Sequence, residues 1–474
     1  MQMTDEYDLI VLGGGPVGEN VADRAVQGGL TAVIVESELV GGECSYWACM
    51  PSKALLRSGQ VLRAARRVPG AAEAVTGELD VPAVLRRRDA FTSDWDDSGQ
   101  VDWLNSANID LVRGHGRISG ERRVTVTGPD GDERALTARH AVAVSTGSDA
   151  VVPGIPGLQE AGPWTSREAT SAEEVPERLV VVGGGVVAVE MATAFASLGS
   201  RVTMLARSGL LGAFEPFAGE LVAEGLRELG VDVRTGVSPT RVDRDVAGVT
   251  VRVDGGEVLA EEILVATGRS PRSDDIGLET IGLEPGSWLR TDDSLRVPGL
   301  DWLYAVGDVN GRAPLTHQGK YQARAAGDAI AARAQGGPVD DRAWGRHAAT
   351  ADRSSVPQVV FSEPEVASVG LTEAAAQRAG RHVRAVDVEF SSVAGASLHG
   401  DGPSGRARIV VDEDRHVLLG ATFVGPEVAE LVHAATVAVV GEVPIQRLWH
   451  AVPSYPTVSE IWLRLLEAYG RDSA

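Results

Sequence analysis

Cysteine is almost missing from these 474 residues: there are two, Cys44 and Cys49. Disulfide scaffolding is thereby excluded, because closing so short a loop removes little entropy from the unfolded chain. Lysine is as scarce, with Lys53 and Lys320 the only two among 44 basic side chains. A chain that writes almost every cation as arginine keeps the compact, tunable ammonium close behind its cysteines. Positive charge is short overall, 44 Lys and Arg against 66 Asp and Glu, for a net charge of −22. That balance argues against nucleic acid or an anionic membrane surface as a partner. No apolar run reaches the roughly 18 residues that a membrane span needs, so no membrane insertion is expected. The first residues show no basic region followed by an apolar stretch, so no signal peptide is expected either. A cytoplasmic protein follows as the expectation, in a compartment where a dithiol stays reduced.

What is present is concentrated in a few stretches. Gly41 to Lys53 reads GGECSYWACMPSK and holds both cysteines and one of the two lysines. Two cysteines that serve no scaffold, next to a lysine, point to a pair that cycles between dithiol and disulfide. Upstream, Asp8 to Leu12 predicts a buried parallel strand that runs into Gly13, Gly15 and Gly18, then a helix to about Gly28. A second strand, Thr31 to Val35, ends at Glu36. A GxGxxG turn between strand and helix, with an acid about 20 residues on, is the fingerprint of an adenine dinucleotide site. The glycines let backbone amides approach a pyrophosphate, the helix N-terminus favours its charge, and Glu36 is placed to accept from ribose hydroxyls.

The pattern recurs 170 residues later without a gap, so that Gly13, Gly15, Gly18 and Glu36 fall on Gly183, Gly185, Ala188 and Ala206. Two such sites imply two dinucleotides, a flavin and a nicotinamide. The second copy has Ala206 in place of the ribose acid and Arg207 directly after it. Loss of the carboxylate and gain of a cation suit a 2′-phosphate, hence NADPH over NADH, with NADH still possible. Strands over Ala141–Val144 and Ile263–Val265 each run into a Thr-Gly turn, at Thr146-Gly147 and Thr267-Gly268. Leu303 to Asp308 is a further strand ending in Gly-Asp, followed by Thr316 and an alanine-rich helix. Pro51–Arg67 and Val81–Ala107 read as helical, Pro153–Gly157 as a linker, and the chain beyond Val356 as strands with helices between.

In their order, these motifs resemble the class I pyridine nucleotide-disulfide oxidoreductases, the group of dihydrolipoyl dehydrogenase, glutathione reductase and mercuric reductase. The resemblance rests on GGGPVG with Glu36, GGECSYWACMPSK, GGGVVAVE, ATGR, VGD and PQVVFSEPEVASVGLTE, and spans nearly the whole chain. It implies an α/β fold of two Rossmann-like dinucleotide-binding domains, for FAD and NAD(P), and a C-terminal α+β dimerisation domain. The expected limits are 1–150 with 271–350 for FAD, 151–270 for NAD(P), and 351–474 for the interface of a homodimer. It implies FAD contacts from Gly13, Gly15, Gly18, Glu36, Gly42, Lys53, Thr146, Gly147, Asp308 and Thr316. NAD(P) contacts are implied for Gly183, Gly185, Ala188, Arg207 and Gly268. Cys49 is implied as the thiol nearer the flavin, Cys44 as the one that exchanges with substrate, and Lys53 as paired with Glu190. No metal site is implied.

One departure stands out. Where the family carries His-Pro-Thr and then a Glu, this chain has Tyr455-Pro456-Thr457 and Glu460. A phenol, with a reference pKa near 10, is a poor proton acceptor at neutral pH. His450, five residues before Tyr455, is the other candidate acid/base group. Both cysteines lie in one motif, so the C-terminal redox pair of high-molecular-weight thioredoxin reductases and the C-terminal cysteines of mercuric reductase have no counterpart. The expected activity is electron transfer from NADPH through FAD and the Cys44–Cys49 pair to a small-molecule disulfide. Two alternatives stay open: an NAD(P)H:quinone reductase of the diaphorase type, and a dihydrolipoyl dehydrogenase-like component of a larger complex.

Overall fold

The computed structural model describes residues 5–400 and 404–471. They divide into two compact units, each assembled from three stretches of chain.

The first unit comprises residues 1–51, 89–150 and 269–353. Its sheet has seven strands. In order across it lie Ile109–Arg113, Ala32–Glu36, Asp5–Leu12, Glu133–Val144, Arg123–Thr127 and His115–Gly120, with Leu303–Ala305 also on Glu133–Val144. Asp5–Leu12 runs parallel to both neighbours, Leu9 opposite Ala32 on one side and Ala141 on the other. Strands covered on both faces need unbroken apolar runs rather than alternation, which is why Leu9 to Leu12 are all 2% exposed or less. The helix Pro16–Gln27 follows, with Pro16 in its first turn, where the ring costs no hydrogen bond. It packs along the 19-residue helix Thr316–Ala334. A Cβ on Gly28 would stand 2.4 Å from that of Ala331, so a glycine there permits the close approach.

The second unit comprises residues 52–88, 151–268 and 354–474. Its four-stranded parallel sheet runs Asp232–Thr235, Arg201–Ala206, Arg178–Val182, Glu262–Val265. The helix Val186–Ser197 follows Arg178–Val182 and is apolar nearly all round, as befits a helix buried from Ala188 to Phe195. A three-stranded antiparallel sheet, Pro239–Asp245, Gly248–Val253 and Gly256–Ala260, is folded into the same unit. The C-terminal part is a five-stranded antiparallel sheet ordered Pro357–Val360, Glu365–Gly370, Val417–Gly425, Arg406–Asp412, Val383–Glu389. The helices Val428–Val440 and Ile461–Tyr469 close its core around Phe390, Phe423 and Tyr469.

One feature differs from the sequence expectation. The helical stretch expected over Val81–Ala107 is broken into Val81–Phe91 and Ser98–Ser106. Between them Ser93, Asp94 and Trp95 all take left-handed backbone angles, φ 49°, 52° and 58°. Residues 52–88 cluster with the second unit. The reason is packing: Gly59 meets Ser197 so closely that a Cβ would stand 2.7 Å away, and Arg63 pairs with Glu363 at 2.6 Å.

Candidate functional site

In the first unit the glycine turn after Asp5–Leu12 leaves no room for side chains on its inner side. A Cβ on Gly13, whose φ is +101°, would lie 2.5 Å from the Ser145 carbonyl, and one on Gly18 would lie 1.9 Å from the Gly13 carbonyl. Gly15 faces the other way, its nearest neighbour being Gly42. Glu36 is fixed by two backbone amides, Gly14 at 2.6 Å and Glu38 at 2.7 Å, which leaves each carboxylate oxygen with a lone pair for a further donor. Beside it opens a cleft of about 280 Å³ bounded by Gly13, Glu36, His115, Thr146 and Arg272. Thr146 Oγ1 donates to the Arg272 carbonyl at 2.6 Å, and His115 Nε2 lies 2.7 Å from the Asp275 carbonyl. A tight turn aimed at a helix N-terminus, an anchored carboxylate and an open cleft between them fit an adenine dinucleotide.

The cysteines lie on two successive helices. Cys44 is on Gly42–Tyr46, and Cys49 opens Cys49–Arg66. Both are half-buried. Cys49 Sγ is 3.4 Å from Oγ1 of Thr316, the first residue of Thr316–Ala334. A thiol that starts a helix feels the partial positive charge of that end, which favours its anion. Asp308 accepts from Ser148 Oγ at 2.6 Å, and Ser148 in turn accepts from Arg269 Nε at 2.7 Å. Gly147 has φ +79°, which lets the chain turn sharply between Thr146 and Ser148.

Lys53 lies one helical turn after Cys49, and in the second unit its ammonium meets Glu190 at 2.7 Å. Glu190 is 3% exposed, and its other oxygen accepts from the Phe361 amide at 3.0 Å. The Phe361 ring stands 4.9 Å from the Lys53 ammonium, within cation–π range. The second glycine turn repeats the first, with a Cβ on Gly183 placed 2.2 Å from the Ala266 carbonyl and open space beside Gly185. Ala188 is fully buried and Arg207 is exposed just past the strand Arg201–Ala206. Gly268 takes φ +143°.

The C-terminal candidates do not converge in the same way. His450 and Tyr455 are exposed, Tyr455 by 76%. Glu460 is buried and accepts from the Gly395 amide at 3.1 Å.

Two groups escape a reading by motif. Asp352 is buried and accepts from Gln318 Nε2 at 2.8 Å and from Gln322 Nε2 and Arg312 Nε, each at 2.9 Å. Gln322 Oε1 also accepts from the Gly307 amide at 2.9 Å, so the network fixes the turn before Asp308. Glu19, in the glycine-turn helix, is 9% exposed and its Oε1 has no hydrogen-bond partner among the described residues. Burial pushes its carboxyl up to about 7, with the Lys320 charge opposing the shift and Glu36 adding to it. An unfolded-chain glutamate titrates near 4.3, so the neutral Glu19 carboxyl stabilises the fold fully below about 4.3. That contribution is lost as pH rises through about 7. Glu19→Gln should therefore stabilise the holoprotein at pH 8 by roughly 3 kcal/mol, several degrees in Tm, and leave it nearly unchanged at pH 4.5. Thermal melts across that range check this; an equal shift at both pH values would contradict it.

Comparison with known proteins agrees with this geometry. A model of the pyridine nucleotide-disulphide oxidoreductase family matches residues 7–335, and the family's dimerisation domain matches residues 356–465. The chain belongs to that family, and it is an FAD-dependent oxidoreductase of the NAD(P)H-using kind. Dihydrolipoyl dehydrogenase from Haloferax volcanii is 33% identical over 476 residues, 97% of this chain and 95% of its own. Mercuric reductase from Staphylococcus aureus is 30% identical over 463 residues, 96% of this chain and 81% of its own. Among solved structures, the HOCl-induced flavoprotein disulfide reductase RclA from Escherichia coli, as its Cu(II) complex, superimposes with a TM-score of 0.84. It shares 23% identity and covers 98% of this chain and 99% of that one. LpdA from Mycobacterium tuberculosis gives a TM-score of 0.81 at 24% identity, covering 98% of this chain and 99% of that one. These two share the fold. Among the described residues, no helix is long and apolar enough to cross a membrane.

Proposed function

We propose that this chain is an NADPH:disulfide oxidoreductase that passes electrons through FAD and the Cys44–Cys49 pair to a small disulfide. The observation that carries the proposal is the cysteine pair itself. It is split over two consecutive helices, Cys49 lies at a helix start beside Thr316, and Lys53 one turn on is held by a buried Glu190. The residues named here would hold FAD, whose chemistry when bound would be hydride acceptance from the nicotinamide and passage of the electron pair to the protein disulfide. The protein's own groups do the rest. Gly13, Gly15, Gly18 and Gly42 would seat the pyrophosphate, and Glu36 would hold the ribose. Thr146, Gly147, Asp308 and Thr316 would line the rest of that cofactor's path. Lys53, placed by Glu190, would offer a fixed cation to the flavin.

The Cys44 thiolate attacks one sulfur of the substrate disulfide. A mixed disulfide forms and one substrate thiolate leaves. Cys49 then attacks Cys44, a second thiolate leaves, and the Cys44–Cys49 disulfide is restored. Two protons are taken up by the two leaving thiolates, so one NADPH and one proton yield two product thiols. The dimerisation domain supports a homodimer, in which the segment 450–460 of one protomer would face the cysteines of its partner. We read residues 1–150 with 271–350 as the FAD domain, 151–270 as the NAD(P) domain and 351–474 as the interface domain, in a cytoplasmic enzyme.

Coenzyme choice is the first consequence. Gly183, Gly185, Ala188 and Gly268 would seat the nicotinamide dinucleotide, and Arg207, with no carboxylate at position 206, suits a 2′-phosphate. A charge-assisted contact to a phosphate is worth roughly 1.5–3 kcal/mol. Arg207→Ala should therefore lower kcat/KM for NADPH about tenfold or more while sparing NADH. Equal use of both coenzymes by the wild type would sink the assignment.

The second reading, an NAD(P)H:quinone reductase, is favoured by one observation: Tyr455 stands where the family's histidine stands. Steady-state rates of the holoenzyme on a set of disulfides and quinones, with Cys44→Ser alongside, test the two. Disulfide turnover that depends on Cys44 supports the first; quinone turnover alone, indifferent to Cys44, supports the second.

A further inference from the structure

The break in the helix after Phe91 has a counterpart in the shape of the first unit. Three successive non-glycine residues, Ser93 to Trp95, take a backbone conformation that such residues rarely adopt. The turn they make helps to wall a cleft of about 540 Å³, within the usual range for small-molecule sites. The cleft's other wall is the pair of cysteine-bearing helices. Ser45 and Tyr46, next after Cys44, line it, and so does Met50, next after Cys49. The residues that directly follow each cysteine in the chain thus border the cleft, which places it next to the redox pair.

The chemistry of the lining is selective. Met50 and Phe91 are large apolar side chains more than 40% exposed. Ser45, Thr92, Ser93 and Ser98 bring hydroxyls, and Gln100 an amide. Among the described lining residues the one formal charge is Asp96, whose Oδ1 accepts from the Ser98 amide at 2.7 Å. That backbone hydrogen bond holds its carboxyl below the ordinary carboxylate range, so it is an anion at neutral pH. None of the described lining residues is Lys or Arg, in a chain with 44 of them. Carboxylate-bearing ligands are normally met by Arg or Lys. Here they would meet Asp96. An uncharged body with hydroxyl or amide groups and an apolar face finds a partner for each of its parts.

We propose that this cleft receives the body of the disulfide acceptor, and that Asp96 and the hydroxyl lining select uncharged or cationic acceptors against polyanionic ones. The inference rests on the cysteine pair being the exit for electrons, and it narrows the acceptor from any small disulfide to one without carboxylates near its sulfurs.

The test separates the two claims. The holoenzyme reduced with NADPH is labelled with two methanethiosulfonates, one bearing a trimethylammonium and one a sulfonate. The chain has two cysteines, so labelling reports on this site alone. Each rate is divided by the reagent's rate with free 2-mercaptoethanol. The cation-to-anion ratio should exceed about tenfold in the wild type, fall about tenfold in Asp96→Lys and fall part of the way in Asp96→Asn. Asp130→Lys, the same charge change on an exposed turn elsewhere in the unit, should move the ratio less than about twofold, as a distant screened charge does. In turnover, cystamine and bis(2-hydroxyethyl) disulfide should outrun 3,3′-dithiodipropionate, and Asp96→Lys should narrow the gap. If Asp96→Lys changes the labelling ratio no more than Asp130→Lys does, the cleft is not the route. If the ratio responds to Asp96 while none of the three disulfides turns over, the cleft assignment stands and the disulfide exit fails.

Discussion

Replacing Cys44 by serine is expected to lower disulfide turnover by roughly 10³ or more while leaving NADPH:quinone activity within about threefold. A serine hydroxyl at neutral pH supplies almost no anion, and oxygen does not enter thiol–disulfide exchange, so the loss reflects the nucleophile itself rather than its placement. Cys44 lies on a five-residue helix and is half-buried, so the isosteric change should not disturb the fold. Cys49→Ser should abolish disulfide turnover as well, with a different spectroscopic outcome. Cys49 is the cysteine 3.4 Å from Thr316, at the start of its helix. A long-wavelength absorption band from a thiolate beside oxidised flavin should survive in Cys44→Ser and vanish in Cys49→Ser. Retained disulfide turnover in either variant would show that the pair is not in the electron path.

Tyr455→His is expected to raise turnover of lipoamide-like disulfides by about tenfold to a hundredfold, at or below the low end of the roughly 10²–10⁴ that a positioned acid/base group contributes. A disulfide whose thiols are poorly acidic needs a proton donor as each thiolate departs, and a phenol is a weak substitute for imidazole in that exchange. The gain should be limited because Glu460, the natural partner of such a histidine, is buried with one oxygen on the Gly395 amide. His450→Ala should be nearly silent. Among the described residues no side chain hydrogen-bonds the His450 ring, and an imidazole works best as a general base when a second group holds its orientation and tautomer. With neither group acting, the wild-type rate should fall as the pKa of the leaving thiol rises. A drop of tenfold or more in His450→Ala would assign the proton transfer to that residue instead.

The parts of the fold legible in the sequence are those fixed by local sterics. Gly13 and Gly183 must be glycine because their positive φ and the carbonyls of Ser145 and Ala266 leave no space for a Cβ, and this shows as a motif. The Lys53–Glu190 pair, 137 residues apart, was implied only through the family resemblance that both motifs carry. What the sequence hides depends on long-range packing. Helical composition over Val81–Ala107 gives no sign that Ser93 to Trp95 turn left-handed. Residues 52–88 cluster with the second unit through contacts such as Gly59 with Ser197, which no periodicity encodes. Glu19 reads as an ordinary helix acid next to Asn20. Only the packing of its helix against Thr316–Ala334 reveals a buried carboxyl. Likewise Glu460 follows the family's spacing, and its burial on Gly395 comes from a contact 65 residues away in sequence.

The measurement that bears most directly on the electron path is an anaerobic NADPH titration of the oxidised holoenzyme, followed by flavin absorbance. If the Cys44–Cys49 pair exchanges electrons with FAD, full reduction should take about two equivalents of NADPH per chain, one for the disulfide and one for the flavin. Cys44→Ser should take about one. A wild type that is fully reduced by about one equivalent, with a titration curve superimposable on that of Cys44→Ser, would contradict the disulfide exit and leave the quinone reductase in its place.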